Sequence, residues 1–219
     1  MYKNMKTFES MNTYIVAATM AEIEPLIEKT STSDFKLIIT GVGSAATTFQ
    51  LTKLLATEKP GLIIQAGIAG SFDNTLPLGT TVAVLRDRFA DLGVEENNQW
   101  KDVFDLNLAN KNDFPHVNGW LNNEGDLIKN VDIPTVTSIT INEVTTNPSR
   151  ISQFSKKYQP VIESMEGAAF HYACLQYKIP FLQLRSVSNY IGERDKNKWQ
   201  IAAAIEDLNK RIIDILDKN

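Results

Sequence analysis

Apolar, β-forming residues occur along this chain in short runs, each closed by small or polar residues and most followed by a helical pattern. Thr13 to Ala18 predicts a first strand and Met20 to Pro25 a helix start, which puts Glu22 at the strand's C-terminal edge. Phe35 to Thr40 predicts a second strand, with Gly41-Val42-Gly43 as a tight turn and Ser44 as N-cap of a helix through about Ala56. Gly61 to Ala66 is hydrophobic without alternation, as in a strand covered on both faces. Gly67-Ile68-Ala69-Gly70-Ser71 follows, where small residues let backbone amides approach a ligand closely. Thr80 to Leu85 predicts a fourth strand.

From Asp91 to about Asn130 the pattern dissolves into a polar stretch, too long for an ordinary connector and suited to covering a site. Ile133 to Ile141 is a β-branched strand, and Asn147-Pro148 opens a short helix that ends before Pro160. Then come a short β-run reaching Glu163, a nearly all-apolar helix from Glu166 to Tyr177, and a strand from Phe181 towards Ser188. Ile201, Ile205, Leu208, Ile212 and Ile215 recur at helical spacing as an amphipathic closing helix. Alternating strands and helices predict a single α/β domain over residues 1–219, with helices flanking a central mixed sheet. Ligands bind such sheets beyond the carboxyl ends of the strands. Glu22, Gly41, Gly67, Thr140, Glu166 and Asn189 all lie at or just past predicted strand ends, and so could meet in one pocket.

Composition narrows the class. The chain is 43% hydrophobic and 22% charged, as in a folded globular domain, and its net charge of -4 gives no sign of a nucleic-acid partner. Cys174 is the only cysteine, so no internal disulfide can form, and its apolar helical setting marks it as buried. The N-terminus has no apolar segment of signal-peptide length, and no apolar run is long enough to span a bilayer, which predicts a soluble cytoplasmic protein without membrane partners.

Gly41-Val42-Gly43-Ser44-Ala45-Ala46 fits a relaxed dinucleotide fingerprint, but Gln65 and Ala66 stand where its acidic partner belongs, so the run reads as a bare strand-to-helix turn. His116 and His171 have no second ligand at metal-site spacing and no nucleophile beside them, which removes metal hydrolysis and acyl transfer; no cofactor is expected. Glu22 and Glu166 each also fit an ordinary first-turn glutamate favoured by the helix dipole, Asn189 a turn-former, and Glu163 a structural residue.

Five segments together resemble the nucleoside phosphorylase and nucleosidase superfamily: V-A-A-T-M-A-E-I at Val16 to Ile23, T-G-V-G at Thr40 to Gly43, Q-A-G-I-A-G at Gln65 to Gly70, S-M-E-G-A-A at Ser164 to Ala169, and L-R-S-V-S-N at Leu184 to Asn189. The chain looks most like that superfamily's menaquinone-pathway nucleosidases. The resemblance implies a phosphorylase/hydrolase-like three-layer fold, usually a homodimer among the hydrolases, acting on a small nucleoside. It implies that Glu22 activates the attacking water, that Glu166 grips the ribose 2′- and 3′-hydroxyls, and that Met165 packs beneath the sugar. By the same resemblance Ser188 and Asn189 address the purine, Thr140 and Ile141 line its slot, and Gly67, Ile68 and Gly70 border the ribose. Trp100, Trp120, Arg194 and Lys196 are candidates to meet a tail on the sugar.

The chain departs from adenine-releasing nucleosidases at two places: Asn189 stands where they have an aspartate that protonates N7, and Ile68 where they have a serine. An asparagine supplies no proton, but its amide NH2 can donate to a 6-keto oxygen while its carbonyl accepts from N7–H, which favours a 6-oxopurine. The phosphorylases' Gly-Asp-Pro-x-Arg element is absent and no arginine flanks Gly67 to Gly70 in sequence, so water is a better nucleophile candidate than phosphate. A non-catalytic nucleoside-binding module is the alternative of another class.

Overall fold

The computed structural model describes residues 12–30 and 35–217. The expectation of no signal segment rests on residues outside that set. In chain order the elements are β1 (Thr13–Ala17), a 3-10 turn (Met20–Glu22), α1 (Glu24–Lys29), β2 (Lys36–Ile39), α2 (Ser44–Thr57), β3 (Leu62–Ser71), β4 (Thr81–Asp87), β5 (Gly93–Glu96) and β6 (Gln99–Asp102). They continue with β7 (Leu121–Asn122), α3 (Asp126–Asn130), β8 (Thr135–Thr140), α4 (Pro148–Tyr158), β9 (Ile162–Ser164), α5 (Gly167–Tyr177), β10 (Phe181–Tyr190), a second 3-10 turn (Lys196–Lys198) and α6 (Ile201–Asp217).

The sheet is mixed, as expected, and part of it closes on itself. β3 runs parallel to β1 and β10 and antiparallel to β9; β9 continues through β8 and β4 back to β10. Five strands thus form a ring, and Ala69, Val82, Val84, Ile162 and Val187 fill it as one buried cluster, with Val136 against it. β1 and β2 extend the sheet outside the ring.

Beyond the ring the domain has three layers. Tyr14, Val16 and Ile63 pack against α2 and α5 through Leu51, Leu55, Phe170 and Cys174. Ile15, Ala17, Leu62 and Ile64 pack against α1 and α6 through Leu26, Leu208 and Ile212. Alternate residues of β1 and β3 therefore each meet a helix layer, which is why these strands read as unbroken hydrophobic runs. Cys174 is fully buried and unpaired with another cysteine, as its setting predicted, and burial pushes its thiol pKa up.

Four expectations need correcting. β3 does not end at Ala66 but runs on to Ser71, because β10 pairs with it from Ile63 through Ser71 and supplies the hydrogen bonds that small residues alone do not promise. Ser44 is not the N-cap of α2: Gly43 holds that position with φ of 90°. The stretch from Asp91 to Asn130 is structured, with a hairpin of β5 and β6 and a short β7 on β4. Trp100 belongs to this hairpin's anchor, buried with its indole N–H donating to Tyr158 Oη at 2.9 Å, and so is not free to meet a ligand.

Candidate active site

The site lies where β3 changes neighbours. On one edge, β1 pairs with β3 as far as Ala17 opposite Ala66, and β9 begins at Glu163 opposite Gly70. Residues 67–69 have no strand partner on that edge, so their backbone is open at a topological switch point. The ends of β1, β2, β9 and β10 deliver Glu22, Gly43, Glu166 and Asn189 to this gap.

Glu22 ends the 3-10 turn after β1 and is 8% exposed. Its Oε2 accepts from Thr19 N at 2.9 Å and Thr19 Oγ1 at 3.1 Å, and its Oε1 accepts from Ile68 N at 3.3 Å, the free amide of the gap. Asn209, a buried amide on α6, donates to Glu22 O at 2.8 Å and accepts from Leu26 N at 3.1 Å, pinning the turn from the far side. The carboxylate is thus oriented by three donors and keeps lone pairs towards the gap.

Glu166 stands at the N-cap position of α5 and is 5% exposed. Its Oε1 accepts from Gly43 N at 3.0 Å, and its Oε2 accepts from Arg185 Nη1 at 3.3 Å. Arg185, 1% exposed on β10, also donates from Nη2 to Gln65 Oε1 at 3.1 Å. Its guanidinium lies against Gly67: a Cβ there would stand 2.0 Å from Arg185 Nη1 and 3.2 Å from Glu22 Oε1. Gly67 is therefore required by close approach, with the buried Arg185–Glu166 pair on one side of it and the Glu22 carboxylate on the other. The sequence shows no arginine flanking Gly67 to Gly70, but the fold supplies one from 118 positions away (185 − 67). Both of its terminal nitrogens are engaged, so it orients Glu166, and at 1% exposure it presents little surface to a phosphate.

The Asn189 side of the gap is built by a bulge. The β3–β10 register slips between Val187 and Asn189, which places Asn189 beside Gly70. Ser188 Oγ has two acceptors within reach of its one proton, Asn189 Oδ1 at 2.9 Å and Ala69 O at 3.3 Å, and the shorter contact is to Asn189. This fixes the amide with Nδ2, which donates to Tyr190 O at 3.2 Å, turned towards Gly70. A Cβ on Gly70 would lie 3.3 Å from that nitrogen and 2.5 Å from Ile191 Cδ1.

The remaining predicted residues are placed less uniformly. Ile68 and Met165 are half-buried at the gap, and Met165 O accepts from Ser44 Oγ at 3.3 Å. Thr140 and Ile141 are buried, and their side chains are spent in the interior. Thr140 Oγ1 donates to Asp87 Oδ1 at 2.9 Å and accepts from Ala168 N at 2.7 Å, while Ile141 packs with Ala90, Phe154 and Tyr158. Thr140 and Asp87 hold the first turn of α5, and through it Glu166. Asp87 also accepts from Gln183 Nε2 at 3.2 Å, and burial raises its pKa. Sequence reasoning missed Arg185, Gln65, Asp87, Gly43 and Asn209. The legible signal was polar residues inside otherwise apolar runs, of which Arg185 within F-L-Q-L-R-S-V-S is the clearest.

His171 is fully buried with Nδ1 2.9 Å from Leu121 O, and burial lowers its pKa to about 4, so it packs as a neutral ring. His116 lies between the rings of Phe104 and Tyr172. Arg194 covers Trp199 at 5.5 Å, and Trp120 stacks with Arg86 and Arg88. No group of three metal-ligating side chains occurs among the described residues.

This fold is that of a known superfamily. The phosphorylase superfamily model matches residues 32–218, and the chain belongs to that superfamily. Its sequence is 28% identical over 181 residues to the futalosine hydrolase of Thermus thermophilus, covering 81% of this chain and 79% of that one. It is 30% identical over 187 residues to the futalosine hydrolase of Acidothermus cellulolyticus, covering 83% and 74%. The crystal structure of a 5′-methylthioadenosine/S-adenosylhomocysteine nucleosidase from Colwellia psychrerythraea in complex with adenine superposes with a TM-score of 0.79 at 20% identity, covering 96% of both chains. Within the superfamily the chain thus groups with nucleosidases.

Proposed function

We propose that the protein hydrolyses the N-glycosidic bond of futalosine, releasing hypoxanthine and dehypoxanthine futalosine in menaquinone biosynthesis. The observation that carries the choice of base is the orientation of Asn189. With Oδ1 held by Ser188 Oγ, its Nδ2 faces Gly70, and a donor facing the slot suits a 6-keto oxygen. A 6-amino base would set donor against donor, a penalty of about 1–3 kcal/mol.

In the reaction the bond from C1′ to the purine stretches and positive charge gathers on the ribose. Glu166, fixed by Gly43 N and Arg185, binds the sugar hydroxyls and stabilises that charge. Glu22, oriented from Thr19 and Ile68, takes a proton from water as it adds to C1′. Asn189 stabilises the departing base. Met165 and Ser188 line sugar and base, Gly67, Ile68 and Gly70 border the ribose, and Thr140 and Ile141 contribute through the backbone that holds the slot. Hydrolysis is favoured over phosphorolysis because Arg185 is buried in its pairings with Glu166 and Gln65. The working form proposed is a cytoplasmic homodimer with no cofactor.

Incubation with futalosine, inosine and methylthioadenosine, each with and without phosphate, tests this. The expected result is hypoxanthine from futalosine at a rate independent of phosphate. A phosphate requirement overturns the hydrolase, and faster adenine release overturns the base assignment. Asn189→Asp is expected to shift relative kcat/KM towards the 6-amino analogue by about ten- to a hundredfold, the equivalent of one mismatched buried donor. An unchanged ratio removes the role given to Asn189.

A further inference from the structure

One buried carboxyl beside the slot has no part in the chemistry so far. Glu163, in the middle of β9, is 6% exposed, and its Oε2 has no hydrogen-bond partner. Antiparallel pairing sets it opposite Gly70, which is also the β3 partner of Asn189. Directly paired residues of neighbouring strands project from the same face of a sheet. Glu163 and Asn189 therefore stand on the two sides of a residue that has no side chain, with their backbones two strand spacings or about 10 Å apart. Over Gly70 lie the Asn189 amide and the Ile191 side chain, at 3.3 Å and 2.5 Å from where a Cβ would stand, and Glu163 follows on the strand beyond. A cavity of about 440 Å³ lies one residue further along β3, lined by Ser71, Phe72, Ile191 and the first turns of α4 and not by Glu163 or Asn189 themselves.

Hydrolysis leaves a chemical debt at this spot. When the C1′–N bond breaks, its electron pair stays with the purine, and the resulting anion needs a proton. Asn189 is an amide and has none to give. We infer that Glu163 is the general acid of the reaction, its carboxyl proton passing to a ring nitrogen of the departing 6-oxopurine. This rests on the nucleosidase reading above. The water oxygen bonds to C1′, the water's proton goes to Glu22, and Glu163 recovers its own from solvent after the base leaves.

The surroundings keep that proton in place. An ionised carboxylate buried without a donor is costly, and burial together with the charge of Asp91 raises the Glu163 pKa to about 7. Asp91, from the segment after β4, accepts from Asn142 N, which holds it at the site. β3 and β8 present the uncharged Gly70 and Ile139. Beyond the end of its own strand, Glu166 is paired with Arg185. On α4, Arg150 is paired with Glu95, and Lys157 with Asp102 and Asp105.

The test is the pH dependence of base release from futalosine by the wild type, Glu163→Gln and Glu163→Asp. The wild-type kcat should fall as pH rises through about 7, where the acid is lost. Glu163→Gln should be slower by about a hundredfold below that pH and lack the falling limb, while Glu163→Asp keeps the limb at reduced rate. A thermal melt separates this from misfolding. With its folded pKa raised, Glu163 makes the fold less stable as pH climbs from the ordinary carboxylate range through about 7, so the isosteric amide should melt no lower than the wild type at pH 8. A falling limb that persists in Glu163→Gln, a wild-type rate in that variant at pH 6, or a variant that melts well below the wild type overturns the role. Wild-type enzyme that releases no base at any pH instead overturns the nucleosidase reading, and this role with it.

Discussion

Glu22→Gln is expected to lower kcat for base release by about 10²- to 10⁴-fold, the range of a positioned general base, while KM changes little. The exchange is nearly isosteric and removes basicity, so the water at C1′ loses its proton acceptor while the sugar and base contacts remain. A small structural cost accompanies it. Thr19 N, Thr19 Oγ1 and Ile68 N all donate to this carboxylate, and an amide NH2 placed among them leaves one donor unmatched, a cost of about 1–3 kcal/mol. Steady-state kinetics with a melting curve separate the two effects. Near-normal hydrolysis by the variant would end the assignment of Glu22.

Arg185→Met should be the most destabilising single change at the site, at about 3–5 kcal/mol, because it strands the 5%-exposed Glu166 carboxylate without its cation. It should also abolish measurable turnover, since Glu166 keeps only the Gly43 amide to aim it. The informative measurement is a double-mutant cycle. Adding Glu166→Gln to Arg185→Met removes the unpaired charge and should restore much of the lost melting temperature without restoring activity. Equal destabilisation in the single and double variants would show that Arg185 acts by packing alone.

These two residues mark what the chain did and did not disclose. Glu22 was legible because it follows a strand-like run directly, and the strand's end sets its place whatever lies around it. Arg185 was not, because its partners come from β3 and from the start of α5, and only the β3–β10 pairing brings it over Gly67. The alternation of strands and helices gave the layers. It could not give the ring, since closure depends on β9 pairing with the last two residues of β3, and a three-residue strand leaves little periodicity to read. Thr140 shows the converse. Its position at a strand end suggested a place in the pocket, and the family resemblance a place in the purine slot, but its hydroxyl is committed to Asp87 and Ala168 N. Glu163, read from sequence as structural, proved to be buried with an unpaired oxygen, a property that position in the chain does not encode.

The bulge at Ser188 joins the two halves of the site across 119 positions, through the contact of Ser188 Oγ with Ala69 O. Contacts so far apart in sequence carry a large loop-closure cost, and folding rates fall as such contacts come to dominate. Each separate βα segment can form by local contacts, yet none of them holds a sugar and a base in register. In a refolding chain, helical signal can therefore return well before the first turnover, and the moment at which base begins to appear dates the arrival of β10 beside β3.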